Sequence, residues 1–273
     1  MIKFIEKGHI YTSVIPDDTK WLGVTTLVGH LHEKFNAKEQ AVKSSLKKST
    51  ANYPNKWYGV PEKEILEAWN AEGKRSIELG SWYHKQREDS LYNNFHGNVI
   101  KPDVRDGIKY AGDQILYEGI YPEHLVYLKS EGICGQSDYV EVTNDAKINI
   151  RDYKTSKEIK REGFKNWEGV VKKMYKPVAH LDDCHFYHYA LQLSIYMYII
   201  HRHNPNLTPG SLIIEHIKFE IEEEDKWGYP IYKKDADNNF IVKEIEEIEV
   251  PFLRKEVYAV TTWLKDNKHK LIK

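Results

Sequence analysis

Cysteine is nearly missing: Cys134 and Cys184 are the only two among 273 residues. Two thiols cannot build a disulfide framework or a four-cysteine metal cluster, which points to a reducing compartment. Long apolar runs are missing as well. "SIYMYII" at 194–200 is far too short to span a bilayer. The opening "MIKFIEKGHIYTSV" lacks the basic-then-apolar order of a secretion signal. The expectation is a cytosolic chain that makes no use of a membrane. There is no Walker-type Gly-Lys-Thr loop, hence no helicase motor, and neither an internal repeat nor a low-complexity linker divides the chain.

What is present suits one large domain with a real core: 41% hydrophobic and 30% charged residues, with a formal net charge of -1. Aromatics are plentiful, 19 Tyr and 7 Trp, giving many flat rings able to sit at a wet surface. "HIYTSV" reads as an early strand, and "GVTTLVGHLHEKF" as a helix capped by Thr25 or Thr26. Residues 61–95 begin with Pro61 and two glutamates, a good helix start. They predict one long helix, or two meeting near Gly73. "EHLVYLK", "ICGQSDYVEV" and "KINIRDYK" read as three consecutive strands, and 182–203 as the clearest helix. A strand follows at 211–222, then an acidic stretch with two more strands and a closing helix. The expected architecture is an α/β sandwich around a small mixed sheet. Its parts are a mainly helical region over 1–120, a core over 121–222, and appended strands and helix over 223–273.

Two acids stand where half-buried strands would place something apolar. If 136–143 and 147–154 form a hairpin around Asn144-Asp145, Asp138 and Asp152 meet at one end of the sheet. Carboxylates brought together repel unless a cation lies between them. Hard oxygen ligands on so few positions suit Mg²⁺ or Mn²⁺, which also accept phosphate oxygens. Lys154 projects from the same strand face as Asp152, where it can orient or deprotonate a water or neutralise charge on a phosphate. Acid, acid and lysine around one metal make a site for phosphodiester hydrolysis. Helix spacing adds to the group. Gly80, His84 and Glu88 step by four along one face, as do His188, Gln192 and Tyr196. His180, Cys184 and His188 also step by four, but a single cysteine without a partner cluster argues against zinc.

"GICGQSDYV" followed by "INIRDYKTSK" resembles the core signature of the PD-(D/E)xK nuclease superfamily, and within it the RecB-like branch. That branch includes lambda-type and mitochondrial genome maintenance exonucleases. The overlap is strongest over 123–200, and "ELGSWYHKQRE" and "YALQLSIYMY" match the branch's helical motifs upstream and downstream. The resemblance implies a restriction-endonuclease-like core. It implies Asp138, Asp152, His84 and the Tyr153 carbonyl as metal ligands, with Asp138, Asp152, Lys154 and His84 as catalytic residues. Gln192 and Tyr196 would secure the substrate strand, Glu88 completes the upstream motif, and some relatives place a further acid at the position of Glu123. Cysteine scarcity departs from relatives whose nuclease domain carries an iron–sulfur cluster.

Basic residues crowd 147–176, ten against four acids, with Trp167 and Tyr175 interleaved. Such a segment suits a surface where lysines meet phosphates and rings stack on bases. The acidic 220–249 stretch is expected to lie away from nucleic acid. Together these features predict a Mg²⁺- or Mn²⁺-dependent deoxyribonuclease, most simply an exonuclease on DNA ends or single strands in recombination, repair or replication. The alternatives are a structure-specific endonuclease and a non-catalytic DNA-binding or assembly subunit that keeps the fold. DNA is the expected partner, with a recombination or replication protein as a second. The compact length suggests a phage or mobile-element enzyme working in the host cytoplasm.

Overall fold

β-branched and aromatic alternation in the middle of the chain produces a six-stranded mixed sheet, seen in a computed structural model that describes residues 1–51, 54–112 and 114–271. The chain opens with β1 (Ile2–Ile5), β2 (Ile10–Ser13) and β3 (Leu22–Gly23), then α1 (Val24–Gly29), α2 (Ala37–Leu46) and α3 (Glu62–Asn94). Next come β4 (Asp103–Arg105), β5 (Ile108–Tyr110), β6 (Gly119–Leu128), β7 (Ile133–Val142) and β8 (Lys147–Lys154). After α4 (His185–His203) lie β9 (Thr208–Phe219), β10 (Ile221–Glu224), β11 (Pro230–Tyr232), β12 (Val242–Val250) and α5 (Arg254–Leu271). Among the described residues no helix is long and apolar enough to cross a membrane.

The main sheet runs β12-β9-β8-β7-β3, with β6 on the other edge of β7. β8 is antiparallel to β7 and parallel to β9, so the long connection through α4 crosses one face of the sheet. Period-two alternation sends Val140, Val142, Ile148, Ile150, Leu212 and Ile214 into the core against α4 and α5. α4 is apolar nearly all round, with Ala190, Leu191 and every residue from Leu193 to Met197 buried, so it is clamped between sheet and α5. The opposite face carries Tyr153, Ile217 and Phe219, which pack on Leu79 and Tyr83 of α3.

Of the two readings offered for 61–95 the single long helix is the one formed, and several other elements differ from expectation. α3 continues through Gly73 as one helix of 33 residues, about 50 Å long at the usual rise. Ion pairs between Arg75 and Glu72 and between Lys85 and Asp89 line that helix. α1 is capped by Gly23 in extended conformation with no side-chain cap, so Thr25 and Thr26 lie inside the helix. The first 120 residues carry, beside their helices, a four-stranded antiparallel sheet β2-β1-β5-β4 packed through Ile2 and Phe4 on Leu125 and Cys134. Its strands are only three or four residues long, too short for alternation to stand out. The acidic C-terminal stretch forms three strands, β10 to β12, rather than two. β10 and β11 make a hairpin whose turn docks on the α2–α3 region through Trp227, its ring tilted 37° to that of Trp57 with centroids 4.8 Å apart.

Leu193 is fully buried at the α4–sheet contact. Leu193→Ala should lower unfolding free energy by about 2–5 kcal/mol, read from urea midpoints at an unchanged m-value.

Candidate active site

The hairpin forms as its spacing predicts, with a four-residue turn over 143–146 in which Ala146 takes φ 59°. The register pairs Tyr139 with Arg151, so Asp138 and Asp152 come opposite each other at the next position, on the face shared with Val140 and Ile150. There the ladder stops. β3 takes up the same edge of β7 only at Ile133 and Cys134, and the interval from Gly135 to Asp138 is where the strands part. The Tyr153 N–H, lacking a strand partner on that side, donates to Asp138 Oδ2 at 2.7 Å.

A cleft of about 460 Å³ opens at this break. α3 walls one side with Gly80, His84 and Glu88, and the β1–β2 hairpin walls another with Phe4 and His9. His84 Nδ1 lies 3.4 Å from Glu123 Oε1 and 3.7 Å from Asp138 Oδ1. Ligand atoms of His84, Glu123 and Asp138 all fall within 4.8 Å of one another. Glu123 holds φ 50°, a left-handed conformation that a non-glycine side chain adopts at some cost, and it aims its carboxylate into the group. Gln136 donates from Nε2 to Glu123, while its Oε1 is buried without a partner. Lys109 stands 3.9 Å from Glu123.

Asp152, buried beneath the cleft, pairs with Lys154 and accepts from Gln192 Nε2 at 3.1 Å. Lys154 in turn lies 4.9 Å above the Tyr189 ring centroid. Tyr196 is buried, and a Cβ on Gly135 would come within 2.6 Å of its Cε1. Tyr196 therefore needs that glycine and fixes the parted stretch of β7, and it also lines the cleft. Glu88 lines the cleft and accepts from Tyr92 Oη at 3.2 Å. His188 does not join Gln192 and Tyr196 there. It bonds to Asp183 at 2.9 Å and stacks on His32, centroids 4.0 Å apart. Ligand atoms of His32, Asp183 and His188 also fall within 4.8 Å of one another, with the two rings stacked and Lys172 at 3.0 Å from Asp183.

Burial and charge work against each other in the cleft. Burial raises Asp138, partly offset by His84 and Lys154, and raises Asp152 to about 6 against the pull of Lys154. For His84, burial disfavours the imidazolium, but Asp138 and Glu123 outweigh it and carry the pKa up to about 9. Lys154 follows the same logic: burial lowers it, Asp152 and Asp138 raise it further, and it stays protonated. A protonated ammonium cannot accept a proton from water, which leaves Lys154 the roles of orienting water and balancing anionic charge.

The donor set fits a hard divalent cation. Two carboxylates and an imidazole converge, the acids disfavour one another's ionisation, and a buried amide oxygen beside them has no partner. Sequence reasoning did not single out Gln136, Lys109 or Thr25 as part of this cleft, nor Tyr189 beside Lys154. Gln136 had a signal, since it shares strand parity with Asp138 and sets a second polar group on a core-facing stripe. Lys109 had none.

The basic segment is less available than its sequence suggests. Lys147 pairs with Asp145 at the hairpin turn, and Arg151 lies on the far face with Glu215 and Glu247. Lys172 and Lys173 pair with Asp183 and Asp182.

No family model and no curated protein matches the chain. Among solved structures it is similar to the crystal structure of SSO0001, at 16% identity and a TM-score of 0.36, covering 95% of this chain and 79% of that one. It is also similar to a "Putative exonuclease" from Eubacterium rectale, at 10% identity and 0.33, covering 94% and 84%. Likenesses this distant carry no functional argument, and the functional reading rests on the site's own geometry.

Because His84 gains its charge partners on folding, its contribution to stability is fully present below about pH 6.5 and is lost as pH rises through about 9. NMR titration of the metal-free protein should place the His84 imidazole near 9. Asp138→Asn should move it down toward its ordinary value. An unchanged midpoint in that variant would mean Asp138 does not govern the imidazole.

Proposed function

We propose that the protein is a metal-dependent deoxyribonuclease that hydrolyses phosphodiester bonds, working as an exonuclease on DNA ends or single strands. One observation carries the reading: Asp138, Asp152, Lys154, His84 and Gln192, supplied by four separate elements, line a single cleft at the break between β7 and β8. Mg²⁺ or Mn²⁺ held by Asp138, Glu123 and His84, with Asp152 beside them, would supply Lewis-acid stabilisation of charge on the phosphate. Lys154 orients the attacking water and balances the charge that builds as the new P–O bond forms and the leaving oxygen departs. Asp152 fixes the ammonium, and Gln192 fixes Asp152, so the cation stays aimed while a substrate comes and goes. The walls from α3 and the N-terminal hairpin favour a threaded strand over a continuous duplex.

Asp152→Asn should abolish cleavage while leaving the fold intact. Lys154→Ala should slow the chemical step by about 10²-fold or more while calorimetric metal binding persists. Linear DNA should shorten from its ends in Mg²⁺ or Mn²⁺ while closed circular single strands survive. Rapid cutting of circles would replace the exonuclease with an endonuclease, and binding without cutting in any divalent metal would leave a binding subunit.

Protons and cation compete for the same ligands. His84 keeps its proton up to about pH 9 and Asp152 up to about 6, so bound metal must displace protons at low pH. The Mn²⁺-induced rise in Tm should therefore be larger at pH 8 than at pH 5. A rise independent of pH would place the metal elsewhere.

A further inference from the structure

A second chamber of about 590 Å³ opens on the far side of Lys154, and His84 and Lys154 line both it and the cleft. Its wall brings together distant stretches: Ser76 of α3, the Thr155–Lys157 turn after β8, Tyr189 of α4 and Tyr229 from the β10–β11 turn. The hairpin that supplies Tyr229 is not free to swing, because Trp227 is held against Trp57 and Arg75 Nη2 bonds to Asp225 at 2.7 Å. From the acidic C-terminal stretch only Tyr229 lines this chamber, and none of the stretch's acids does.

Two ammonium groups converge on that tyrosine. Lys56 Nζ lies 4.1 Å and Lys157 Nζ 4.6 Å from the Tyr229 ring centroid. Lys56 also donates to the Trp227 carbonyl oxygen, which anchors its ammonium beside the ring. Burial, and next the charge of Lys157, push the Lys56 pKa down. Asp225, Glu224 and Glu72 pull the Lys56 pKa the other way without cancelling the shift, and Glu72 itself lines the chamber. Glu72, 3.5 Å from Lys157, is also engaged by Arg75 at 3.0 Å. The side-chain hydroxyls of Ser76 and Thr155 supply donors in the same chamber, while Ser156 Oγ donates to the Glu158 carbonyl. Paired cations, hydroxyl donors and aromatic faces describe a site for a phosphate on a flexible strand, with rings on which a base can stack.

We propose that this chamber binds the phosphate next to the scissile one on a single-stranded nucleic acid, with Lys157 in its lining and Lys56, outside the lining but against the same Tyr229 ring, as the charged contacts. The assignment rests on the nuclease reading and deepens it. A strand with one phosphate beside Lys154 passes its neighbour into the second chamber, so the protein grips the substrate on both sides of the lysine.

The test is the salt dependence of binding. Affinity of the full-length protein for a fluorescein-labelled oligo(dT) is measured by anisotropy in EDTA over a range of KCl. Wild type, Lys56→Ala, Lys157→Ala and the double variant are compared, with Lys56→Arg/Lys157→Arg as the charge-conserving control. Removing one ammonium should flatten the plot of log affinity against log salt by about 0.7, and removing both by about 1.4. The arginine pair should keep the wild-type slope, and in cleavage assays the double alanine variant should raise KM far more than it lowers kcat. An unchanged slope in a double variant that still binds and cuts overturns the subsite and leaves the nuclease standing. A wild type that neither binds nor cuts removes the nuclease reading and the subsite with it.

Discussion

The hydrogen bond from the Tyr153 N–H to Asp138 Oδ2 closes the sheet at the point where its backbone ladder fails. A strand amide left unpaired in a buried place costs free energy comparable to a lost hydrogen bond. Here a side-chain carboxylate takes the place of a backbone carbonyl. The substitution anchors Asp138 to the strand that carries Asp152 and Lys154, and it leaves Oδ1 turned toward His84. Geometry at the site is thus inherited from the sheet. Gly135 serves the same break, since only a residue without Cβ lets Tyr196 cover the parted strand.

Around that bond the cleft balances charges it cannot hydrate. Asp138, Glu123 and Asp152 are set against His84, Lys154 and Lys109, and each carboxylate is stable only because a cation or a donor faces it. Most members have more than one partner, Glu123 facing His84, Lys109 and Gln136 and Asp138 facing His84 and the Tyr153 N–H, so the charge balance is shared across the group. The strained backbone at Glu123 belongs to the same arrangement, for it delivers a third carboxylate that a regular strand would have turned aside.

Much of this was legible in the sequence, for identifiable reasons. The hairpin and the meeting of Asp138 with Asp152 follow from period-two alternation and a short polar turn, and α4 from a long apolar run of helical length, all of which are local. Gly80, His84 and Glu88 share a helix face by arithmetic alone. What could not be read depends on tertiary partners. The N-terminal sheet is built from strands too short to show a period, and Tyr196 looked like a polar contact because its burial depends on Gly135, far away in sequence. Likewise the basic run looked open because its partners, Asp182, Asp183, Glu215 and Glu247, lie on other elements. Lys109 and Gln136 entered the site through packing that no spacing encodes.

The four-residue turn between β7 and β8 also has a kinetic meaning. Loop-closure entropy grows with the length of chain to be closed, so this hairpin is among the cheapest pairings in the sheet, while the parallel joining of β8 to β9 must wait for α4 and its long approach. On these grounds Asp138, Asp152 and Lys154 come together in a local event, and His84, carried by a helix far upstream, docks afterwards. A partly folded chain would then already present two acids side by side with little to separate them.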